Sequence, residues 1–293
     1  MGTAQPGASG RLSSGTVAQS ENFDFSGDVV AAAWERYRDR IFEAQRQLSE
    51  WLVDRVDPQP GQTILEVCAG PGETGFLAAE RVGPEGRLIS SDLSEGMVDA
   101  ARRGAEARGL TNVEFRVMDA QQVDLPDASV DGVLSRFGLM LVPEPARAFA
   151  ECRRVLRPGR RLAYGVWGPP DRNPWLTLIA LSVMQHGHVI AGDPFGTGGP
   201  FSLADADANR DLLAGAGFTD VESEEIPSAL RYDSLDDYWD VQSSISGPLA
   251  VVVASLSDDE RAAIKATLEP MAAPFQSGDG YEFPTLAVGI SAG

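Results

Sequence analysis

Apolar residues recur every three or four positions from Val29 to Leu52, with Val30, Trp34, Tyr37, Ile41, Ala44, Leu48 and Leu52 on one stripe. That period predicts an amphipathic helix of several turns that covers another layer. After the linker DPQPGQ the period changes, and short apolar runs rich in β-branched residues alternate with helical stretches. Strands are predicted at 63–67, 86–92 (GRLISSD), 112–119 (NVEFRVMD), 129–135 (SVDGVLS) and 160–167 (RRLAYGVW). Between them, Ser94 to Ala107 reads as a helix with Met97, Val98 and Ala101 on one face. Helix 145–157 points Phe149, Cys152, Val155 and Leu156 inward and stops at Pro158-Gly159. Strands and helices that alternate at this spacing imply a doubly wound, mostly parallel α/β sheet.

Beyond Trp167 the pattern breaks. GPPDRNP is a breaker cluster, Trp175 to His188 is helical, and AGDPFGTGGPFS is a glycine- and proline-rich loop. Residues 210–226 read as a helix, a glycine cap and a sixth strand, 234–275 as an acidic helical insertion, and 280–290 as a final strand. The expected whole is a Rossmann-like sheet of seven strands with an antiparallel last strand. Its expected parts are a disordered tail (1–21), an N-terminal helical cover (22–60) and a main domain (61–293) with insertions at about 168–205 and 227–279.

Composition narrows the partners. A formal net charge of −19 over 293 residues repels nucleic-acid phosphates and anionic lipid headgroups, so neither is expected as a partner. Cys68 and Cys152 are the only cysteines, too few for a disulfide framework and outside any CxxC pair, which suits a reducing cytoplasm. The N-terminal segment lacks the apolar core of a signal peptide, and no apolar run is long enough to cross a bilayer.

The chemistry concentrates in TILEVCAGPGETGFLAAE, residues 63 to 80, a strand, a tight turn and a helix. Glycines at such a turn let a ligand lie against the main chain, facing the free N–H groups of the helix. Gly70-x-Gly72-x-x-Gly75 matches a dinucleotide fingerprint, whereas Glu66-x-x-x-Gly70-x-Gly72 suits another nucleoside cofactor. A branched side chain at Gly72 would be expected to project toward that ligand and leave the fold intact. Asp92, 22 residues after Gly70 at the end of strand two, can accept both hydroxyls of a ribose of either kind, or serve as a helix cap.

Other segments separate the two readings. ILEVCAGPG, SSDLS-x-x-M, VMDA, VDGVLSRFGLML and VLRPG stand in order over roughly residues 60 to 167. In these the chain resembles the class I S-adenosylmethionine (SAM)-dependent methyltransferases, in particular the small-molecule, ubiquinone/menaquinone-type branch. The resemblance implies that Asp119 hydrogen-bonds the adenine amino group and that the Ala120 N–H meets the ring. It implies further cofactor contacts at Glu66, Ala69, Gly70, Gly72, Asp92, Leu93 and Ser135. Met97 is a candidate for adenine packing, although an inward Met on a helix also reads as core. Arg136 is a candidate for the methionyl carboxylate, or a solvated rim charge. Tyr37, with Trp34, either packs or closes over the methionine end. The chain departs from the pattern at Cys68, in place of the first glycine, and at Arg160, in place of the second glycine of a PGG turn.

SAM carries an already activated methyl group, so what the protein must supply is alignment in a dry pocket. No nucleophile triad or metal site is expected, and an HxH metal pair at His186 and His188 lacks a third ligand. Either histidine is a candidate general base for a phenol or enol, or a helix-end cap. The expected partner is a small organic acceptor, and a homodimer is compatible with the sequence. Two other readings are a protein that binds SAM without methylating and, more remotely, an NAD oxidoreductase.

Overall fold

The computed structural model describes residues 28–293. The expected tail, 1–21, lies outside the described residues, as does the start of the helical cover.

The stripe predicted as one helix forms three, α1 (Asp28–Arg36), α2 (Arg38–Ala44) and α3 (Arg46–Val56). The breaks fall at Tyr37 (φ −102°, ψ 10°) and Gln45 (φ −115°, ψ 15°). They let one apolar stripe follow a bent surface, with α3 against β4, β5 and β8 and α1 reaching α5 and α9. Gln45 is buried at its break, where its amide N–H₂ donates to Ser228 Oγ at 3.1 Å.

The remaining elements follow the predicted alternation. They are β1 (Thr63–Glu66), α4 (Glu73–Val82), β2 (Arg87–Asp92), α5 (Glu95–Ala107), β3 (Val113–Val117), β4 (Gly132–Arg136), α6 (Pro145–Val155) and β5 (Leu162–Trp167). Then come α7 (Pro174–Gln185), α8 (Ala206–Gly215), β6 (Glu222–Tyr232), α9 (Leu235–Ile245), α10 (Gly247–Ser255), α11 (Asp258–Ala272), β7 (Gln276–Ser277) and β8 (Gly280–Ala292). The sheet order is β3-β2-β1-β4-β5-β8-β6, with β7 paired to β8 off this path. The first five strands are parallel, and β8 runs antiparallel to both β5 and β6. The path has the seven strands expected, and the short β7 is an addition the sequence did not suggest.

The inner strands are buried on both faces, which explains their unbroken apolar runs: Ile64, Leu65, Leu88, Leu134 and every residue of β5 are inaccessible or nearly so. Each such leucine or isoleucine contributes roughly 1.5–3 kcal/mol by leaving water. The sixth strand runs on to Tyr232, where the alternation predicts an end at Ile226, so the first residues of the expected 227–279 insertion are strand. Pro227 is tolerated because β6 is the edge of the sheet.

Two features position a site. Strand order reverses at β1, between β2 and β4, and in doubly wound sheets ligands bind outside the carboxyl ends at such a point. Pairing of β8 with β5 stops at Trp167↔Ala287, while its pairing with β6 continues to Tyr232↔Tyr281. The β6–β8 pair therefore overhangs the carboxyl ends of the parallel strands, and α9 packs on that overhang.

Candidate active site

The turn after β1 is built from residues in left-handed backbone: Cys68 (φ 52°), Gly70 (φ 55°) and Gly72 (φ 90°). The two glycines of the turn and Gly75 in α4 have different reasons to be glycine. A Cβ on Gly70 would meet nothing within 4 Å, so that side of the turn is open. A Cβ on Gly72 would stand 2.7 Å from the Phe76 ring, and one on Gly75 would stand 2.8 Å from the Glu66 carboxyl carbon. The restriction at Gly72 therefore comes from its left-handed backbone and the buried Phe76, which corrects the expectation that a branched side chain there would spare the fold.

Glu66 ends β1 beneath the first turn of α4. It is 1% exposed, and its Oε1 accepts the Gly75 N–H at 2.9 Å. Burial pushes its carboxyl well above the ordinary range, opposed by the Gly75 N–H and the charge of Arg136. Glu73, the first residue of α4, is equally buried and is raised for the same reason, opposed first by Arg38 at 3.6 Å. Burial also pulls the Arg136 guanidinium below its ordinary value, against the charges of Glu73 and Glu66. Among the described residues, Glu66 Oε2, Glu73 Oε1, Ser135 Oγ and Arg136 Nη1 are buried polar atoms without a hydrogen-bond partner. Acidic and basic side chains that each keep an unsatisfied atom at the ends of β1 and β4 suit a zwitterionic ligand group, one ammonium and one carboxylate.

Asp92 ends β2 and braces this turn. Its Oδ2 accepts the Gly70 N–H at 2.8 Å and its Oδ1 accepts the Ser94 N–H at 2.9 Å. The N-cap of α5 is Ser94, whose hydroxyl accepts from Met97 N–H, so Asp92 is not the cap. Burial raises the Asp92 carboxyl, and the N–H groups of Ser94, Gly70 and Leu93 hold it down. The Gly70 and Ser94 N–H groups each occupy one position on their oxygen, and the carboxylate keeps acceptor capacity for ligand hydroxyls. Leu93 beside it is 64% exposed, an apolar surface at the strand end.

At the end of β3, Met118 N–H donates to the Asp92 carbonyl at 2.9 Å, which sets the neighbouring Asp119 beside β2. Asp119 accepts from the Gln121 N–H at 2.8 Å, and Ala120 is buried next to it. Ala69 donates to the Ser91 carbonyl at 2.9 Å. The structure thus brings Glu66, Ala69, Gly70, Gly72, Asp92, Leu93, Asp119, Ala120, Ser135 and Arg136 to the carboxyl ends of β1 to β4. Met97 is buried against Val30 and Ala31 of α1, with Trp34 beside it. Tyr37 is half-buried at the break between α1 and α2, with the Arg36 guanidinium 5.2 Å from its ring centroid.

The histidines stand elsewhere. His186 Nε2 bonds Thr267 Oγ1 at 2.8 Å, and His188 Nε2 lies 4.0 Å from Glu260 Oε1. Both partners belong to α11, and His186 caps the end of α7 remote from β5, about 18 Å along the helix from Pro174. Among the described residues no group of three or more His, Cys, Asp or Glu could hold a metal.

An aromatic wall at the ends of β4 and β5 escaped the sequence reading. Phe137 follows Arg136 with φ 60°, a strained position for a bulky residue that costs on the order of 1–3 kcal/mol. It is held there by its N–H bond to the Gly165 carbonyl (2.8 Å) and by stacking on Trp167, centroids 3.7 Å apart and planes 13° apart. Trp175 meets Trp167 edge-on at 4.9 Å. The run SRFG was visible, but only the tertiary stack shows which ring Phe137 faces.

Residues 64–159 match the methyltransferase domain family. The nocamycin O-methyltransferase of Saccharothrix syringae is 32% identical over 239 residues, covering 76% of this chain and 82% of that protein. The chain belongs to the class I SAM-dependent methyltransferases. A demethylmenaquinone methyltransferase of Geobacillus kaustophilus is 35% identical over 133 residues, 45% of this chain and 57% of that protein. The fold is shared with the solved YcgJ protein of Bacillus subtilis, with a TM-score of 0.56 at 17% identity over 84% of this chain and 97% of that one. Membership makes the chain an enzyme that transfers methyl from SAM to a small organic acceptor, and it removes the NAD reading of the glycine turn. No helix among the described residues is long and apolar enough to cross a membrane.

Proposed function

We propose that the carboxyl ends of β1 to β4 hold SAM, and that the methyl group passes to a hydroxyl oxygen of a small ring-bearing acceptor. The observation that carries the cofactor assignment is the Asp92 carboxylate, fixed by Gly70 and Ser94 and still able to take both ribose hydroxyls. Asp119 and the Ala120 N–H take the adenine edge, and Leu93 and Met97 supply apolar surface beside the ring. Ala69 and Gly72 shape the turn and Gly70 offers its open side. Glu66 takes the ammonium, Ser135 and Arg136 take the carboxylate, and Tyr37 closes over that end.

Bound SAM supplies the activated methyl group, and the chain aligns the acceptor oxygen with it and excludes water. The stack of Phe137 on Trp167 supports a ring-bearing acceptor, and the relative named an O-methyltransferase supports oxygen. The described part of the N-terminal cover, 28–60, forms the acceptor side with 168–205 and 227–279, and its α1 also lies on α5 beside the cofactor. Free Cys68 and Cys152 suit a reducing cytoplasm, and the net charge of −19 disfavours nucleic acid and membrane surfaces. A homodimer is compatible with this reading, and light scattering tests it.

Methyl-labelled SAM offered with matched hydroxylated and amino-substituted aromatic compounds tests the reaction. Label in the hydroxylated compounds is expected, and label confined to the amines would overturn the oxygen assignment.

A further inference from the structure

Gln242 lies on α9 and is 2% exposed, and its two amide atoms are unequally served. Nε2 donates to the Tyr232 hydroxyl at 2.6 Å, whereas Oε1 is buried with no hydrogen-bond partner among the described residues. A buried amide oxygen without a donor is costly, and native chains hold few. Its surroundings indicate what serves it. Tyr238, Gln242 and Ile245 follow helical spacing and share one face of α9. One turn before Gln242, the Tyr238 hydroxyl donates to the Trp175 carbonyl at 2.6 Å, and the Trp175 ring meets the Phe137–Trp167 stack. One turn after it, the Ile245 carbonyl accepts the indole N–H of Trp34 at 3.1 Å, from the helix that lies on α5. Gln242 therefore sits in the roof over the carboxyl ends, between the aromatic wall and the N-terminal cover.

We propose that Gln242 selects the acceptor: its Oε1 accepts a hydrogen bond from a hydroxyl on a planar ring compound that lies under α9 against the aromatic wall. The inference rests on the acceptor placement given above as the proposed function. Gln242 acts on an acceptor atom that does not react, so it sets which acceptor binds and leaves cofactor affinity alone. A site built to pair with a hydroxyl rejects an analogue lacking it, because the oxygen would again be buried unpaired.

The test is calorimetric binding of a naphthol, naphthalene and acetylnaphthalene to the full chain saturated with S-adenosylhomocysteine. The wild type is expected to bind the naphthol about tenfold more tightly than naphthalene, the scale of one hydrogen bond. Gln242→Met, of similar size, should level the two, and Gln242→Glu, which keeps acceptor oxygens, should restore the preference, all with S-adenosylhomocysteine affinity unchanged. A wild type without preference, one that prefers the acetyl compound, or a Met variant that still discriminates would overturn the proposal. Failure of S-adenosylhomocysteine to bind at all would strike the methyltransferase reading instead, so the two failures are distinguishable.

Discussion

The carboxylate of Asp92 accepts the main-chain N–H of Gly70 at 2.8 Å, across 22 residues of sequence. This bond ties the end of β2 to the turn after β1, and the second oxygen fixes Ser94 at the start of α5. One side chain therefore holds the shape of the turn and keeps acceptor capacity for a ribose.

Asp92→Ala should weaken S-adenosylhomocysteine at least tenfold, since each charge-assisted hydrogen bond lost is worth roughly 1.5–3 kcal/mol. The melting temperature should fall as well, because the Gly70 N–H loses its partner. Calorimetry that shows an unchanged Kd would leave Asp92 as a brace alone.

The two glycines of the turn should separate fold from binding. Gly70→Ala adds a methyl where nothing stands within 4 Å, so the variant should fold, at a cost of about 1–3 kcal/mol for its left-handed backbone, and lose cofactor affinity. Gly72→Val meets Phe76 and should destabilise the protein by several kcal/mol or unfold it. Urea unfolding and cofactor titration on both variants check this, and a well-folded Gly72→Val protein would contradict the steric account.

Glu66 gives the apo protein a pH dependence of known sign. Its carboxyl is raised in the folded state, so the folded chain holds its proton after the unfolded chain, near its ordinary pKa of about 4.3, has released it. This group's contribution to stability is full below that value and is lost as pH rises toward the folded pKa. Glu66→Gln escapes the loss, so between about pH 5 and about pH 8 the melting temperature of the variant should gain on the wild type. A gap that does not change with pH would contradict the burial of this carboxyl.

His186→Gln and His188→Gln should keep most of kcat and any acidic limb of the pH–rate profile, since both imidazoles face α11. Loss of that limb, near pH 6.5 for an ordinary imidazole, in either variant would return that histidine to the reaction as its base.

The residues that were legible in the sequence are those whose role is local. Strands β1, β2, β4 and β5 show as short apolar runs because both faces are buried, β3 at the sheet edge shows as an alternation, and Gly70 and Asp92 stand at strand ends where the topology puts ligands. Phe76, four positions after Gly72, was open to inspection, since that spacing places the two on one helix face. The breaks at Tyr37 and Gln45 leave no trace, because the apolar period runs through them unchanged. Strand β6 passes Pro227 because it lies at an edge, and strand order decides that, not local sequence. Phe137 on Trp167 joins strand ends 30 residues apart, and Gln242 on Tyr232 joins the end of β6 to the next helix across a change of period, so no spacing rule links either pair.

The central claim is that the turn braced by Asp92 binds the SAM family of ligands. Its most direct measurement is a calorimetric titration of the purified chain with S-adenosylhomocysteine and, separately, with NADH. A single saturable site for S-adenosylhomocysteine and no heat of binding with NADH is the predicted result. NADH binding more tightly than S-adenosylhomocysteine would contradict it.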